Sequence, residues 1–263
     1  MKIISFGKSD VGLKRTHNED SFYISNEYQI YLVADGMGGH AAGEVASKTA
    51  IEYIVDFIVK SKFDSDITWP FGVEQSLSKI ENKILTGFKL ANKVIYDLSS
   101  DHSDYTGMGT TMVGLFVNND IATVAHVGDS RSYLIRNDNF IQLTTDHSWV
   151  NEQLKKNIIT EEEAKNHKWK NVITRALGNK LDIQVDFYSE PIMPDDIFLL
   201  CSDGLSGMLS SEKMKNIVLE NRNDLSKCCD ELIHQANDAG GIDNITLVIV
   251  KCAKEEENNK SIQ

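Results

Sequence analysis

Cysteine is scarce in this chain, with four in 263 residues and no CxxC pair. Cys201, Cys228, Cys229 and Cys252 therefore make neither a disulfide framework nor a zinc ribbon. No apolar run approaches the roughly 20 residues that span a bilayer. The opening Met1-Lys2-Ile3-Ile4-Ser5 lacks the apolar stretch of a secretory leader. Positive charge is in deficit, because 27 Lys+Arg stand against 39 Asp+Glu and leave a formal net charge of −12. That balance argues against the basic face with which proteins grip nucleic acid, and against docking on an anionic membrane. The expectation is a soluble, cytoplasmic protein in a reducing compartment. What is present is ordinary for a folded chain: 41% hydrophobic and 25% charged residues, enough to bury a sizeable core. An acidic protein that handles anionic substrates needs local positive charge, and bound cations are one source of it.

The pattern along the chain is mixed. Tyr31–Ala34, Ile121–Val127, Ile197–Cys201 and Ile245–Val250 are short apolar runs rich in branched residues and read as buried strands. Ser21–Ile24, Thr110–Val117, Arg131–Arg136 and Phe140–Leu143 read as further strands. Asn118-Asn119-Asp120 and Asn137-Asp138-Asn139 fit hairpin turns between them. Helical spacing covers Ala42–Lys60, Val73–Leu98, Ser211–Glu220 and Leu225–Ala239, and Asn151–Asn166 reads as a polar helical excursion. Glu255–Gln263 is a charged tail expected to be disordered. No internal repeat or linker is visible, so one domain is expected over residues 1–253, followed by a polar tail over 254–263.

Four aspartates carry the chemical information. Asp35 ends the run Tyr31–Ala34, Asp129 follows Val124–Gly128, Asp203 follows Phe198–Ser202, and Asp243 precedes Ile245–Val250. Each stands at a strand edge with a glycine one or two positions away. Such carboxylates can project into a shared cleft, and the glycines let backbone or ligand come close. Any one of them alone could simply cap a turn. If Asp35, Asp203 and Asp243 converge, the last strand runs antiparallel to the other two. Clustered carboxylates raise one another's pKa, and divalent cations relieve this. All-oxygen ligands suit Mg²⁺ or Mn²⁺ rather than Zn²⁺. Arg15, just before the strand Ser21–Ile24, could grip a phosphate bidentately.

With these segments in view the sequence resembles the protein phosphatase 2C-like family of metal-dependent serine/threonine phosphatases, in its compact bacterial form. The matching stretches are Arg15-Thr16-His17-Asn18-Glu19-Asp20, Ala34-Asp35-Gly36-Met37-Gly38-Gly39 and Gly109-Thr110-Thr111. They continue through Val127-Gly128-Asp129-Ser130-Arg131, Thr174-Arg175-Ala176-Leu177-Gly178, Ser202-Asp203-Gly204 and Gly241-Ile242-Asp243-Asn244. They stand in the family's order across residues 7–252. The resemblance implies an α+β fold, a four-layer α-β-β-α sandwich of two antiparallel β-sheets flanked by helices. It implies a centre of two Mn²⁺ or Mg²⁺ ions, with a third, weaker one. By position Asp35 bridges two ions, the Gly36 carbonyl completes one site, Asp203 and Asp243 hold the other, and Glu19 acts through bound water. Asp129 with Asp203 makes the third site, and Arg15 binds the substrate phosphate. Arg15, Asp35, Asp203 and Asp243 are thus the expected catalytic set. A mobile flap is implied over residues 148–171. The implied reaction is hydrolysis of phosphoserine and phosphothreonine in proteins, those of a serine/threonine kinase among them, by a water shared between two ions. A monomer is expected. Met37 stands where many eukaryotic members carry a histidine proposed as general acid, and Met37 cannot donate a proton. His40 reads as a helix-start residue, so the proton donor is left unassigned, with water able to serve.

Other readings are weaker. Gly36-Met37-Gly38-Gly39-His40-Ala41 fits a dinucleotide-binding pattern, but Asp35 would face the pyrophosphate and a helix, not a second strand, follows. Asp64-Ser65-Asp66-Ile67-Thr68 fits an aspartyl-nucleophile motif, but Lys60-Ser61-Lys62-Phe63 before it reads as a polar connection, not a buried strand. Gly207 and His234 stand where a cysteine-based phosphatase would need arginine after Cys201 or Cys228. His126 reads as a core or cleft-wall residue. His102, His147, His167 and His234 show no ligand spacing, and Trp69, Trp149 and Trp169 are scattered. The rival classes are a catalytically dead relative that binds phosphoproteins, and a small-phosphoester hydrolase on the same fold. Retention of Asp35, Asp203 and Asp243 speaks against the first.

Overall fold

The short branched runs pair into two antiparallel sheets. A computed structural model describes residues 1–38, 42–63 and 68–254. In chain order its elements are β1 (Lys2–Asp10), β2 (Ser21–Ser25), β3 (Ile30–Ala34), β4 (Gly36–Met37), α1 (Ala42–Phe63), α2 (Lys79–Asp101), β5 (Gly109–Thr110) and β6 (Met112–Asn118). Then come β7 (Ile121–Val127), β8 (Arg131–Arg136), β9 (Asn139–Gln142), α3 (Trp149–Lys155), α4 (Glu161–Asn166), β10 (Asp186–Pro191), β11 (Ile197–Cys201), α5 (Asp203–Ser206), α6 (Ser211–Glu220), α7 (Leu225–Asp238) and β12 (Ile245–Ala253). One sheet runs β1-β12-β11-β8-β9 and the other β10-β7-β6-β3-β2. The last strand, β12, is antiparallel to β11.

Period-two alternation sorts the side chains into three apolar layers. From β3, Tyr31 and Val33 point between the sheets, where they meet Phe198, Leu200, Val248 and Val250. Ile30, Leu32 and Ala34 point the other way, onto Ala46, Ala50, Ile54, Phe88 and Ile95 of α1 and α2. On the far side Leu199, Leu247 and Ile249 pack against Met214, Val218, Leu232 and Ile233 of α6 and α7. Strands buried on both faces read as continuous apolar runs. The result is the four-layer α-β-β-α sandwich of two antiparallel sheets.

Both hairpin turns have the backbone their asparagines suggested. Asn119 and Asp120 (φ 49° and 60°) join β6 to β7, and Asn137 and Asp138 (φ 50° and 58°) join β8 to β9. Positive φ at both central positions is the type I′ turn that matches strand twist.

Several boundaries differ from those expected. The second helix begins at Lys79, not Val73, because Ser78 and Glu81 form a reciprocal capping box. The expected strand Thr110–Val117 breaks at Thr111, which separates β5 from β6. Lys60-Ser61-Lys62-Phe63 is not a connection but the last turn of α1. The polar excursion after Ser148 is two short helices, α3 and α4. Three strands were not anticipated, the two-residue β4 among them. β1 alternates exposed and half-buried residues and pairs with β12 over nine positions. β10 is a polar edge strand on β7 that ends at Pro191, where a missing N–H is tolerated. His40, Asp64–Ile67 and the tail over 255–263 lie outside the described residues. Among the described residues no helix is long and apolar enough to cross a membrane.

Phe198, fully buried between the sheets, tests this layering. Phe198→Ala is expected to destabilise the chain by about 3–5 kcal/mol through lost burial and a cavity, measured by urea unfolding.

Candidate metal centre

Strand ends deliver the carboxylates. Asp35 lies between β3 and β4, and its backbone is fixed on both sides. Its carbonyl accepts from Thr110 Oγ1 (2.8 Å) and the Thr111 N–H (2.9 Å), and its own N–H donates to Thr111 Oγ1 (3.2 Å). Asp203 opens α5 just after β11, and Asp129 follows β7. Asp243 precedes β12 and accepts the Asn244 N–H at Oδ1 (2.8 Å). Glu19 sits ahead of β2, its N–H donating to Asn244 Oδ1 (2.8 Å). Two glycines permit this crowding. A Cβ on Gly204 would stand 1.9 Å from the Asn244 carbonyl oxygen, and one on Gly36 would stand 2.1 Å from that of Gly43 and 2.5 Å from that of Glu19.

Crowded acids hold their protons. Burial pushes Asp35 well above the usual carboxylate range, and the charges of Asp20, Asp203, Asp129 and Asp243 push it further. Asp203 is raised by burial and by Asp243, offset in part by a hydrogen bond with Asp35. Asp129 is pushed up to about 7 by burial, then by Asp203 and Asp146. Glu19 is raised chiefly by burial. Among the described residues, Glu19 Oε1 and Asp129 Oδ1 are buried without a hydrogen-bond partner. An orphaned buried carboxylate oxygen is costly unless something positive meets it. Oxygen donors of this kind match hard divalent ions, so the residues present fit Mn²⁺ or Mg²⁺.

Arg15 stands on the rim, and its Nη2 donates to Asp243 Oδ2 (2.8 Å). A cavity of about 620 Å³ opens from Asp129, Asp203 and Asp243 to Val150, Leu154, Ala164 and Lys170 of the flap segment. Arg131 also lines it, but Asp146 holds that guanidinium by two bonds, Nε–Oδ1 at 2.9 Å and Nη2–Oδ2 at 2.6 Å. Met37 is paired with Gly109 across β4 and β5 and offers no proton.

Some functional neighbours were not singled out from sequence. Asp20 is buried, accepts from Ser202 Oγ (2.8 Å), and is raised to about 7 by burial and by the charges of Asp203 and Asp243. Asn244 ties the site together, since its Nδ2 also donates to the Val11 and His17 carbonyls, both at 2.9 Å. Both lie inside stretches that match the family, but beyond that only adjacency to Glu19 or Asp243 pointed to them.

The histidines and tryptophans are also less scattered than their spacing suggested. His126, His147 and Asp186 bring potential ligand atoms within 4.8 Å of one another. Their hydrogen bonds speak against an ion there. His126 Nε2 donates to the Thr145 carbonyl (3.0 Å). His147 Nδ1 accepts the Gly128 N–H (3.1 Å), so its proton is on Nε2, which faces Asp186 Oδ2 at 3.3 Å. The two rings stack at 4.7 Å and 13°. Burial, then His126, lowers His147 to about 4, which keeps it neutral. Trp149, His167 and Trp169 form one aromatic cluster at the flap, Trp149 lying 4.7 Å from each of the other two. All four cysteines are buried, and burial raises each thiol, so none is a reactive thiolate.

Comparison with known proteins places this architecture. The model of the protein phosphatase 2C family matches residues 10–245, and the chain belongs to that family. It is 38% identical over 251 residues to protein phosphatase PhpP of Streptococcus pneumoniae, covering 94% of this chain and 97% of that one. It is 38% identical to the serine/threonine phosphatase stp of Listeria innocua, covering 93% and 94%. The crystal structure of the Mycobacterium tuberculosis serine/threonine phosphatase PstP/Ppp superposes with a TM-score of 0.83 at 31% identity, covering 96% and 99%. A second neighbour, the PstP catalytic domain in complex with two manganese ions, has a TM-score of 0.80 at 30% identity over the same shares. The enzyme class expected from sequence, a protein serine/threonine phosphatase, is the class these relatives carry.

The raised carboxylates set a pH dependence. A carboxylate whose folded pKa exceeds its unfolded value stabilises the fold below the unfolded pKa, and that stability is lost as pH rises through the folded pKa. For Asp129 and Asp20 the window runs from 3.8 to about 7. The metal-free chain is therefore expected to lose this contribution between those values, while ion binding, which needs the acids deprotonated, strengthens. The gain in Tm on adding Mn²⁺ should widen steadily from acid pH to neutrality, measured by thermal melts with and without chelator.

Proposed function

We propose that the chain is a metal-dependent protein phosphatase that removes phosphate from phosphoserine and phosphothreonine, with residues 1–253 as its catalytic domain. The convergence of Asp35, Asp129, Asp203, Asp243 and Glu19, with orphaned oxygens on Glu19 and Asp129, carries this reading. Asp35, Asp203, Asp243 and the Gly36 carbonyl would hold two Mn²⁺ or Mg²⁺ ions, and Asp129 with Asp203 a third. Glu19 orients the solvent of the site. Such ions supply Lewis acidity and a water of lowered pKa for attack on phosphorus.

The chain's own residues do the rest. Arg15 is long, always charged and placed at the mouth, and its fork suits two phosphate oxygens. Its Nη2 donates to Asp243 Oδ2, which holds the guanidinium beside the carboxylates. The cavity between the carboxylates and the flap admits a peptide side chain and keeps its phosphate near the acids. Met37 cannot protonate the departing serine or threonine oxygen, so solvent is left to do so. The substrates are phosphorylated proteins, including those of a serine/threonine kinase, and the enzyme works as a cytoplasmic monomer.

Phosphate release from phosphoserine, phosphothreonine and phosphotyrosine peptides, with each metal and with chelator, tests this. Mn²⁺- or Mg²⁺-dependent turnover of the first two is expected. Binding of phosphopeptide with no turnover under any metal would sink the enzymatic reading. Turnover of small aryl phosphates but of no phosphopeptide would point to a small-phosphoester hydrolase.

Two substitutions divide the site by role. Asp203→Asn should lower turnover roughly 100-fold or more, beyond the loss usual for an outer-sphere residue, with the thermal unfolding of the metal-free chain retained. Arg15→Ala should raise KM for phosphopeptides about tenfold and change kcat less, the pattern of lost ground-state binding. Steady-state kinetics checks both.

A further inference from the structure

His147 stands between the Asp129 turn and the flap. Its N–H donates to the Gly128 carbonyl (2.9 Å), and its Nδ1 accepts the Gly128 N–H (3.1 Å). Both backbone groups of the residue before Asp129 are therefore held by one histidine. Gly128 has no freedom to respond otherwise. Its φ is +109°, and a Cβ there would lie 2.6 Å from Thr111 Cβ. Asp129 Oδ1 emerges from this turn buried and, among the described residues, without a hydrogen-bond partner.

The same residue fastens the flap. The His147 carbonyl accepts the Thr174 N–H (2.8 Å), the Trp149 N–H donates to the Val172 carbonyl (2.8 Å), and Ser148 bridges Ile173. Residues 147–149 and 172–174 thus make a short ladder at the flap's base. On the far side His147 Nε2 lies 3.3 Å from Asp186 Oδ2 and 3.2 Å from Arg175 Nη1, which also donates to Asp186 Oδ1 (2.9 Å). His126 stacks on the ring and is itself fixed to the Thr145 carbonyl. The ring is held on every edge, and its Nδ1 lone pair is aimed at one backbone N–H.

We propose that His147 is a positioning residue that sets Asp129 as a cation ligand and couples that setting to the base of the flap. This rests on the reading of Asp129 as a ligand of the weak third ion. A carboxylate on a loose turn would pay ordering entropy on binding, and a clamp on its peptide removes that penalty in advance. Supporting groups of this kind typically change metal affinity 10- to 100-fold.

Isosteres separate positioning from packing. Asparagine can place Oδ1 where Nδ1 stands and accept the Gly128 N–H. Glutamine can reach the Nε2 position but offers no acceptor at the δ position. Mn²⁺ stoichiometry and affinity by equilibrium dialysis, with amide hydrogen exchange at Gly128, give readouts besides activity. In His147→Gln and His147→Ala the weakest Mn²⁺ should bind about tenfold less tightly or more, with the tighter ions unchanged and the Gly128 amide exchanging faster. His147→Asn should keep both near the parent protein. Asp186→Ala, which removes the carboxylate facing Nε2 and also frees Arg175, should give a milder loss and serves if the His147 variants do not fold. Equal losses in the asparagine and glutamine variants would overturn the proposal in favour of packing. So would a Gly128 amide that stays protected in His147→Gln. An ion lost in His126→Gln would overturn it by making the histidine pair itself a metal site. A parent protein that binds two ions only would refute Asp129 as a ligand and with it the proposal. A parent protein with a normal third ion but no turnover would strike at the proposed function alone.

Discussion

Mutual repulsion among carboxylates at one end of the sandwich is the constraint on which the rest of the structure turns. Asp35, Asp129, Asp203 and Asp243 come from both sheets, and burial with mutual charge penalises ionisation of the first three. The fold overcomes this by rigidity. Three buried layers fix the strand ends, and threonine and asparagine side chains hold the backbone of Asp35 and Glu19. Glycines at Gly36 and Gly204 let chain segments approach to distances a side chain would forbid. The protein thereby stores unfavourable electrostatics at one place, which is the condition for strong cation binding there.

The formal charge of −12 takes on a different meaning in this light. Burial and mutual charge raise the pKa values of Asp35, Asp129 and Asp203, and cations held there would offset their charge. Both effects work against the uniform negative field that composition alone suggests. Arg15 at the rim pairs with Asp243 and Lys170 lines the cavity, while Arg131 is locked to Asp146.

The sequence showed the main strands and their glycine-flanked aspartates because burial on both faces leaves an unbroken apolar run and a polar residue at its end. β1 and β10 escaped notice for the opposite reason. Each is an edge strand, half solvated, with alternation diluted by Lys8, Ser9, Ser189 and Glu190. The start of α2 was misplaced because apolar spacing continues upstream of Ser78, and only the capping box stops it. The cluster of His126, His147 and Asp186 was illegible in principle, since its members come from β7, the flap base and β10 and share no spacing. Asp20 was hidden in plain view beside Glu19, because burial, not residue type, makes it unusual.

The ligands are not equally supported, and this difference follows from topology. Asp35 is held by three hydrogen bonds from Thr110 and Thr111, within the paired β4–β5 corner. Asp129 sits on a turn between β7 and β8, strands of different sheets. Its turn meets the Asp35 corner through Thr111, whose Oγ1 bonds Ser130 Oγ at 2.7 Å and whose side chain fills the space against Gly128. On its other side the turn is held by His147 alone among the described residues with bonds to Gly128. One flank of Asp129 is therefore tied to the rigid centre and the other to the flap. The chain after residue 174 also reaches the Asp35 corner, where Thr110 and Leu177 exchange backbone bonds (3.1 and 2.9 Å), but only through a paired strand, whereas His147 bonds the Asp129 turn directly.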